Sequence, residues 1–418
     1  MSTPIPTHVA DRARRLRRLG AELWSEGRGP ILVAVAGGWF LSLGVRMIYP
    51  AVLPQLRAAY GLDLTRSGLL ITALWVAYAL GQLPGGVLDD RIGGGRVLVA
   101  STGVSAVALT FVVVAGSVPV LFAATILFGF ATALYGVARF TILTTNYPDH
   151  GGTAIGLTMA AGDLGNTLLP PLAGALAVAL AWELGFAAAI PLFLLATVGI
   201  HLTVPGDGSS GGTASASNGS GPGFLETLRR IGGALRGRAV LTVAGVQTLG
   251  YCVWQAFTGF YPTYLVEAKG IAPTTATVLF GGFFALGTLV KPLAGSAYDA
   301  RGMRRSLPVV LLAITAAMAL LPLVEGIAAL TAVTALASGV LGYGTITLTY
   351  LTNALPEDVQ GTGLGSLRTG YMLIGAGSPT VVGALADAGY FDEAFLLLAA
   401  VAGVALALSL SVPSTGSA

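Results

Sequence analysis

Long apolar stretches alternate with short polar breaks along the whole 418-residue chain. Each stretch is about 18 residues or longer, enough at 1.5 Å per residue to cross a hydrocarbon core about 30 Å thick. They predict spans at 31–54, 67–88, 97–116, 118–145, 152–180 and 184–204, then 239–265, 274–298, 306–324, 327–351, 362–386 and 391–412. The runs are too long and too uniformly apolar for the alternating strands of a barrel. In lipid the backbone must satisfy its own polar groups, which leaves helices as the spanning element. The expected fold class is an all-α polytopic membrane protein with twelve transmembrane helices.

The breaks divide this pattern into parts. A basic, amphipathic segment, "DRARRLRRLGAELWSEGRG", sits within 1–30, ahead of the first six spans at 31–204. A tract reading "GDGSSGGTASASNGSGPG" falls within 205–238 and cannot bury a core, so it reads as a flexible linker. The second six spans occupy 239–412, and 413–418 form a tail. The first apolar run is full length with no cleavage site, so no signal peptide is assigned.

Composition agrees with the pattern. Only 10% of residues are charged against 54% hydrophobic, where a soluble domain carries about 25% charged residues. Mean hydropathy is +0.80. Cys252 is the sole cysteine, and the three histidines, His8, His150 and His201, stand near segment ends. No intrachain disulfide, metal cluster, catalytic triad or cofactor site is expected. No GxxxxGK[ST] loop occurs, which argues against ATP-driven transport and against an enzyme of that kind. Asn218 opens a glycosylation sequon, which has no meaning on a cytoplasmic linker.

Charge placement orients the spans. Of the 22 Lys and Arg residues, fifteen fall on one side: Arg12, Arg14, Arg15, Arg17, Arg18, Arg28, Arg91, Arg96, Arg229, Arg230, Arg236, Arg238, Arg301, Arg304 and Arg305. Arg57, Arg66 and Lys269 fall on the other, and Arg46, Arg139, Lys291 and Arg368 lie within spans. The positive-inside rule therefore expects a multi-pass protein of the cell membrane with both termini and the linker cytoplasmic. The basic N-terminus suits contact with anionic lipid headgroups, and no nucleic-acid role is expected.

A shift of 209 positions superposes the halves: Gly61 falls on Gly270, Gly86 on Gly295, Asp90 on Asp299, Thr153 on Thr362, Pro170 on Pro379, Gly174 on Gly383 and Phe186 on Phe395. Parallel six-span repeats imply a pseudo-two-fold axis along the membrane normal, with a cleft between the halves near the midplane. Each pair of halves encloses its own cleft, so a monomer is the expected unit.

With this repeat and the loop "GGVLDDRIGGGR", the chain resembles the major facilitator superfamily from about Ile31 to Val412. The loop carries Gly86, Asp90, Arg91, Gly93 and Arg96 of the family's loop 2–3 signature, and the second half keeps Gly295, Asp299, Gly302, Arg304 and Arg305. The resemblance implies a secondary transporter working by alternating access. It implies gating by Asp90, Arg91, Arg96, Asp299 and Arg304, whose acids face a helix N-terminus across the halves in the outward-facing state.

Ionisable residues within a span are costly, about 2.5–3.5 kcal/mol each at mid-bilayer, and mark function by default. Four are basic and only Asp163 is acidic, a balance that favours an anion. Arg46 lies fifteen positions from Ile31, about 22 Å in and beyond the midplane, with Gln255 opposite it under the repeat. Spans 1, 4, 7 and 10 line the cavity in the resembled family. Arg46 and Arg139 in spans 1 and 4 are similar to its organic-anion branch, the anion:cation symporters, where paired guanidinium groups grip an oxyanion. Lys291 and Arg368 in spans 8 and 11 are further candidates, as is Gln255. Asp163 is read either as the carrier of a coupling proton or as a counter-ion for Arg139. Tyr251, Trp254, Tyr261, Tyr343 and Tyr350 default to packing or interface roles. Gly162, Gly165, Pro170, Pro171 and Gly174 in span 5, and Gly375, Gly377, Pro379 and Gly383 in span 11, read as close-approach and hinge positions.

The resulting expectation is a carrier of a small organic anion, coupled to H⁺ or Na⁺. Two other readings stay open at this point: a proton-coupled exporter of drugs or other apolar or cationic compounds, and a non-transporting membrane sensor on a carrier scaffold.

Overall fold

The computed structural model describes residues 22–204, 237–355 and 360–412. The basic segment up to residue 21, nearly all of the linker and the C-terminal tail lie outside the described residues. Among those described, the secondary structure is helical throughout. The segments are α1 (Gly29–Arg46, Ile48–Ala51 and Leu53–Tyr60), α2 (Leu64–Ile92), α3 (Gly94–Val113), α4 (Val118–Asn146), α5 (Gly151–Ala179) and α6 (Trp182–Ala187 and Ala189–Thr203). The second set is α7 (Arg238–Glu267), α8 (Pro273–Arg301), α9 (Met303–Leu320), α10 (Ile327–Ala337 and Val340–Ala354), α11 (Gln360–Ala376 and Ser378–Asp387) and α12 (Phe391–Leu410).

Ten of these twelve segments are long and apolar enough to cross a membrane. The other two, α5 and α11, are the glycine- and proline-rich ones. α5 stays a single helix through Pro170 and Pro171. α11 breaks at Gly377, two residues before Pro379, which has no N–H for Gly375 to accept. α1 breaks at Met47 for the same reason, since Pro50 cannot donate to the carbonyl of Arg46.

The bundle is inverted relative to a soluble protein. Leu195, Leu202, Val309 and Leu323 point outward and are exposed, the surface expected of a protein solvated by lipid tails. Buried apolar side chains form three clusters. The largest belongs to the second half but takes in Met47, Leu53, Ile71 and Trp75 of the first. α4 packs against α1, α2, α3 and α5, and α10 against α7, α8, α9 and α11. The halves meet instead through α2 with α11, α5 with α8, and the later part of α1 with α7.

Two faces can be distinguished by their loops. One carries Arg91, Arg96, Arg301, Arg304 and Arg305 and is called here the arginine-rich face. At the opposite face the halves are clasped. Asp387, ending α11, accepts the backbone N–H of Leu64 at 2.7 Å and of Thr65 at 2.6 Å, together with the Thr65 hydroxyl. Asp63 accepts the next amide, that of Arg66, at 2.6 Å, and the Asp63 carbonyl accepts Ser67 at 3.0 Å. The orphan amides of Leu64, Thr65 and Arg66 at the α2 N-terminus are thereby met, two of them by the other half. Arg57 pairs with Glu267 beside them, and Thr72 shares a 2.8 Å hydrogen bond with Thr380.

Small residues permit this approach. A Cβ at Gly383 would collide with the backbone carbonyl of Leu64, and one at Gly68 would stand 2.5 Å from the Pro379 oxygen. Under the 209-residue shift the α5–α8 contact is the equivalent interface. There a Cβ at Gly174 would meet the Thr277 side chain at 2.6 Å, and one at Gly281 would meet Pro171 at 2.5 Å. The repeat therefore builds the same glycine-and-proline seam twice.

Candidate substrate site

The break after Arg46 leaves that residue at the end of the first helical piece of α1, deep in the bundle. Its side chain is 1% exposed. The guanidinium folds back along its own helix, where Nε donates to the carbonyl of Ser42 at 2.8 Å. Its carbon lies 3.9 Å from the ring centroid of Tyr78, 5.1 Å from that of Trp75 and 5.8 Å from that of Trp39. Aromatic faces attract a guanidinium through their quadrupole and leave its edge donors free. Nη1 and Nη2 of Arg46 are buried and have no hydrogen-bond partner.

Arg139 approaches the same ring from α4. It is 3% exposed, with its guanidinium carbon 3.7 Å from the Trp39 centroid and 4.2 Å from that of Phe140. Nε and Nη1 are likewise buried without partners. Tyr135, one turn earlier on α4, positions the ring: it stacks on Trp39 at 6.3 Å and donates to the Val35 carbonyl at 2.8 Å. Arg46 and Arg139 thus share Trp39, which places their guanidinium carbons less than about 10 Å apart.

Arg368 reaches this group from α11, in the other half. It is half-buried, and its electrostatic neighbours are Tyr78, Tyr371 and Tyr251. Tyr78 interacts with Arg46 most strongly, then with Arg368 and Arg139. The groups acting on Arg139 are Tyr78, Tyr135 and the two other arginines, with no carboxylate among them. Buried polar groups almost always find partners, so the unmet guanidinium donors of Arg46 on α1 and Arg139 on α4 require an explanation.

Aromatic side chains wall the group. Trp75 meets Trp254 edge-on at 5.4 Å, joining α2 to α7, and Tyr251 contacts Trp254 at 5.4 Å and Tyr371 at 5.0 Å. Gln255 is fully buried in α7 with neither amide atom partnered; no bond joins it to Arg46. Tyr261 bonds to Thr334, and Tyr343 donates to the Gln247 carbonyl at 3.5 Å, so both belong to the packing of the second half. Tyr350 is half-buried.

Asp163 and Lys291 stand together. Lys291 Nζ donates to Asp163 Oδ1 at 2.6 Å, tying α5 to α8 across the halves. The counter-ion that the sequence reading sought for Arg139 is therefore engaged by Lys291. Asp90, Arg91, Arg96, Asp299 and Arg304 are exposed on the arginine-rich face and make no ion pair among the described residues. The preceding carboxylate, Asp89, is the buried one: it is 8% exposed and accepts from the Thr141 hydroxyl at 2.5 Å, joining α2 to α4 within the first half. Among the described residues, no cluster of His, Cys, Asp or Glu suits a metal ion.

Sequence reasoning missed Trp39, Trp75, Tyr78 and Tyr371 at the site, and Asp387 at the clasp. Trp75 and Tyr78, three apart on α2, share a helix face, but nothing in one span says which face looks inward.

The sequence model of the Major Facilitator Superfamily matches residues 34–379 and, in a second placement, 243–417. The chain belongs to this superfamily. It is accordingly a membrane transporter of this family and not an enzyme. A curated relative, the probable sulfoacetate transporter SauU of Cupriavidus necator, is 25% identical over 405 residues, covering 90% of this chain and 91% of its own. Among solved structures, a bacterial homologue of the human lysosomal transporter Spinster, in an inward-facing and occupied conformation, superposes with a TM-score of 0.76 at 15% identity. That match covers 92% of this chain and 96% of the other. A mutant of the nucleoside transporter NupG gives 0.76 at 12% identity over 91% and 99%. The D-xylose–proton symporter gives 0.69 at 14% over 93% and 98%. These likenesses carry the twelve-helix fold.

Proposed function

We propose that this superfamily member is a secondary carrier of a small organic anion, with Arg46 and Arg139 gripping the cargo and Arg368 and Gln255 completing the site. One observation carries the reading. Three guanidinium groups converge on Tyr78 from α1, α4 and α11 with no carboxylate among their neighbours, and the donors left over on Arg46 and Arg139 are buried. Each such unmet donor costs about 1–3 kcal/mol, a cost that a bound oxyanion removes by accepting charge-assisted hydrogen bonds. The curated relative's name, a probable sulfoacetate transporter, supports an anionic cargo.

The same balance of charge disfavours export of cations. With the arginine-rich face cytoplasmic in the cell membrane, as the positive-inside rule has it, the clasped face is external and the described state is inward-facing. Coupling to H⁺ or Na⁺ is assigned to Asp163: neutralising its carboxylate releases Lys291 and loosens α5 from α8. Asp90, Arg91, Arg96, Asp299 and Arg304, free in this state, are assigned to the opposite, outward-facing state, where the cytoplasmic loops close.

The test is uptake into proteoliposomes from a panel of carboxylates, sulfonates, phosphate esters and neutral sugars, with and without a pH gradient. Anions are expected to enter and sugars are not. Arg46→Ala is expected to abolish anion uptake while the purified protein keeps its melting temperature within a few degrees. Unchanged anion uptake in that variant would overturn the site, and uptake restricted to neutral or cationic solutes would overturn the class.

A further inference from the structure

We propose that the cargo carries two negative charges, one taken by Arg46 and Arg139 of the first half and the other by Arg368 of the second, so that Arg368 selects dianions over monoanions. This rests on the anion-carrier reading above. Charge and position argue for it together. Arg46 and Arg139 share the ring of Trp39, close enough to flank a single oxyanion. Arg368 comes from α11 in the second half, acts on Arg139 and Tyr78 of the first half, and has Tyr371 and Tyr251 as its neighbours in the second. A single negative charge leaves two of these three guanidinium groups without a counter-charge.

Among the described residues, no protein acid fills that role. Asp163, the one acid deep in a span, is engaged by Lys291, and the electrostatic neighbours of Arg368 are tyrosines and Arg139. The fold does not demand the charge either, because the repeat places Met159 at the corresponding position of the first half. A cavity of about 270 Å³ opens on the far side of Tyr371, a neighbour of Arg368, between α7, α10 and α11, lined in part by Gln247, Thr248, Ser366 and Gly370. That volume corresponds to roughly nine waters at ~30 Å³ each.

Alternating access gives the arrangement a consequence. Arg46 and Arg139 belong to one rigid half and Arg368 to the other, so any rocking of the halves changes the distance between like charges. A dianion bridging them converts that repulsion into attraction on both sides and lets the halves move with cargo aboard. A monoanion does so on one side only.

The experiment compares sulfoacetate, malonate and the amide of sulfoacetate, which keeps the sulfonate and nearly the same shape but loses the second charge. Initial uptake rates in proteoliposomes at pH 7 are expected to favour the two dianions over the amide by about tenfold or more, the size of one lost charge-assisted interaction. Arg368→Met is expected to collapse that ratio at least severalfold, and Arg368→Lys to preserve most of it. Should Arg368→Met fold poorly, the wild-type ratio and the Arg368→Lys variant still decide. Equal uptake of amide and dianions by the wild type, or a ratio indifferent to Arg368→Met in folded protein, would overturn the dianion inference while leaving the anion carrier standing. Uptake of neutral solutes with none of any sulfonate or carboxylate would overturn the carrier reading and this inference with it.

Discussion

Positions that superpose under the 209-residue repeat keep glycine, proline and the loop carboxylate in both halves, as at Gly174 and Gly383, Pro170 and Pro379, Asp90 and Asp299. The five ionisable side chains within spans behave differently. Arg46 falls on Gln255, Arg139 on Leu348, Arg368 on Met159, Lys291 on Gln82 and Asp163 on Met372. What the two halves hold in common within the spans is what builds helix seams, and what they do not share there is charge. The scaffold is thus symmetric where backbone must approach backbone and asymmetric in its span charges, where the proposed site lies. A solute without two-fold symmetry needs such a site, because paired identical cations would present the same face to both of its ends.

Exchanging charged residues for their repeat counterparts tests this comparison directly. Asp163→Met alone leaves Lys291 without its partner and has the largest expected cost to stability. Since Lys291 is about a third exposed, that cost falls below the ~3–5 kcal/mol of a fully buried pair. The double variant Asp163→Met with Lys291→Gln gives both positions the residues of the opposite repeat and is expected to recover most of the loss. Thermal unfolding in detergent checks both. A double variant no more stable than the single one would show that the pair is not the unit.

The two seams offer a sharper test of the shared part. Gly383 faces a backbone carbonyl, which cannot turn aside, whereas Gly174 faces the Thr277 side chain, which can rotate. Gly383→Ala is therefore expected to open the clasped face more than Gly174→Ala. In a Cys252→Ser background, Ile71→Cys on α2 reports this through its reaction rate with an impermeant maleimide. Equal rates in the two variants would remove the distinction between the seams. The smallest effect is expected from Arg57→Ala, which deletes a solvated ion pair with Glu267 worth about 0–1 kcal/mol and sensitive to salt. Labelling at Ile71→Cys should rise only slightly, and less again in high salt.

The spans, the repeat and the family were legible in the sequence because lipid imposes length and apolarity on every crossing segment, and the loop 2–3 signature is local. Arg46 and Arg139 stood out as candidates because a cation within a span is conspicuous by itself. Their surroundings were not. The bond between Lys291 and Asp163 joins residues 128 apart, and that between Leu64 and Asp387 joins residues 323 apart. No local pattern reports such pairings. Asp89 and Asp90 are neighbours in sequence, yet helix rotation buries one against Thr141 and exposes the other. Tyr78 read as one aromatic among many until three helices placed an arginine beside it.

The cap that Asp387 provides to α2 bears on how quickly such a protein can turn over. Its carboxylate and the Thr65 donors sit at an exposed rim, with the Leu64 amide partly buried beside them, so when the halves part there, water takes up each bond as it breaks. The exchange of one hydrogen-bond partner for another is nearly neutral. A fastening made this way specifies how the halves seat against each other while adding little to the barrier between the two orientations. An apolar plug of the same area would hold tighter and cycle more slowly.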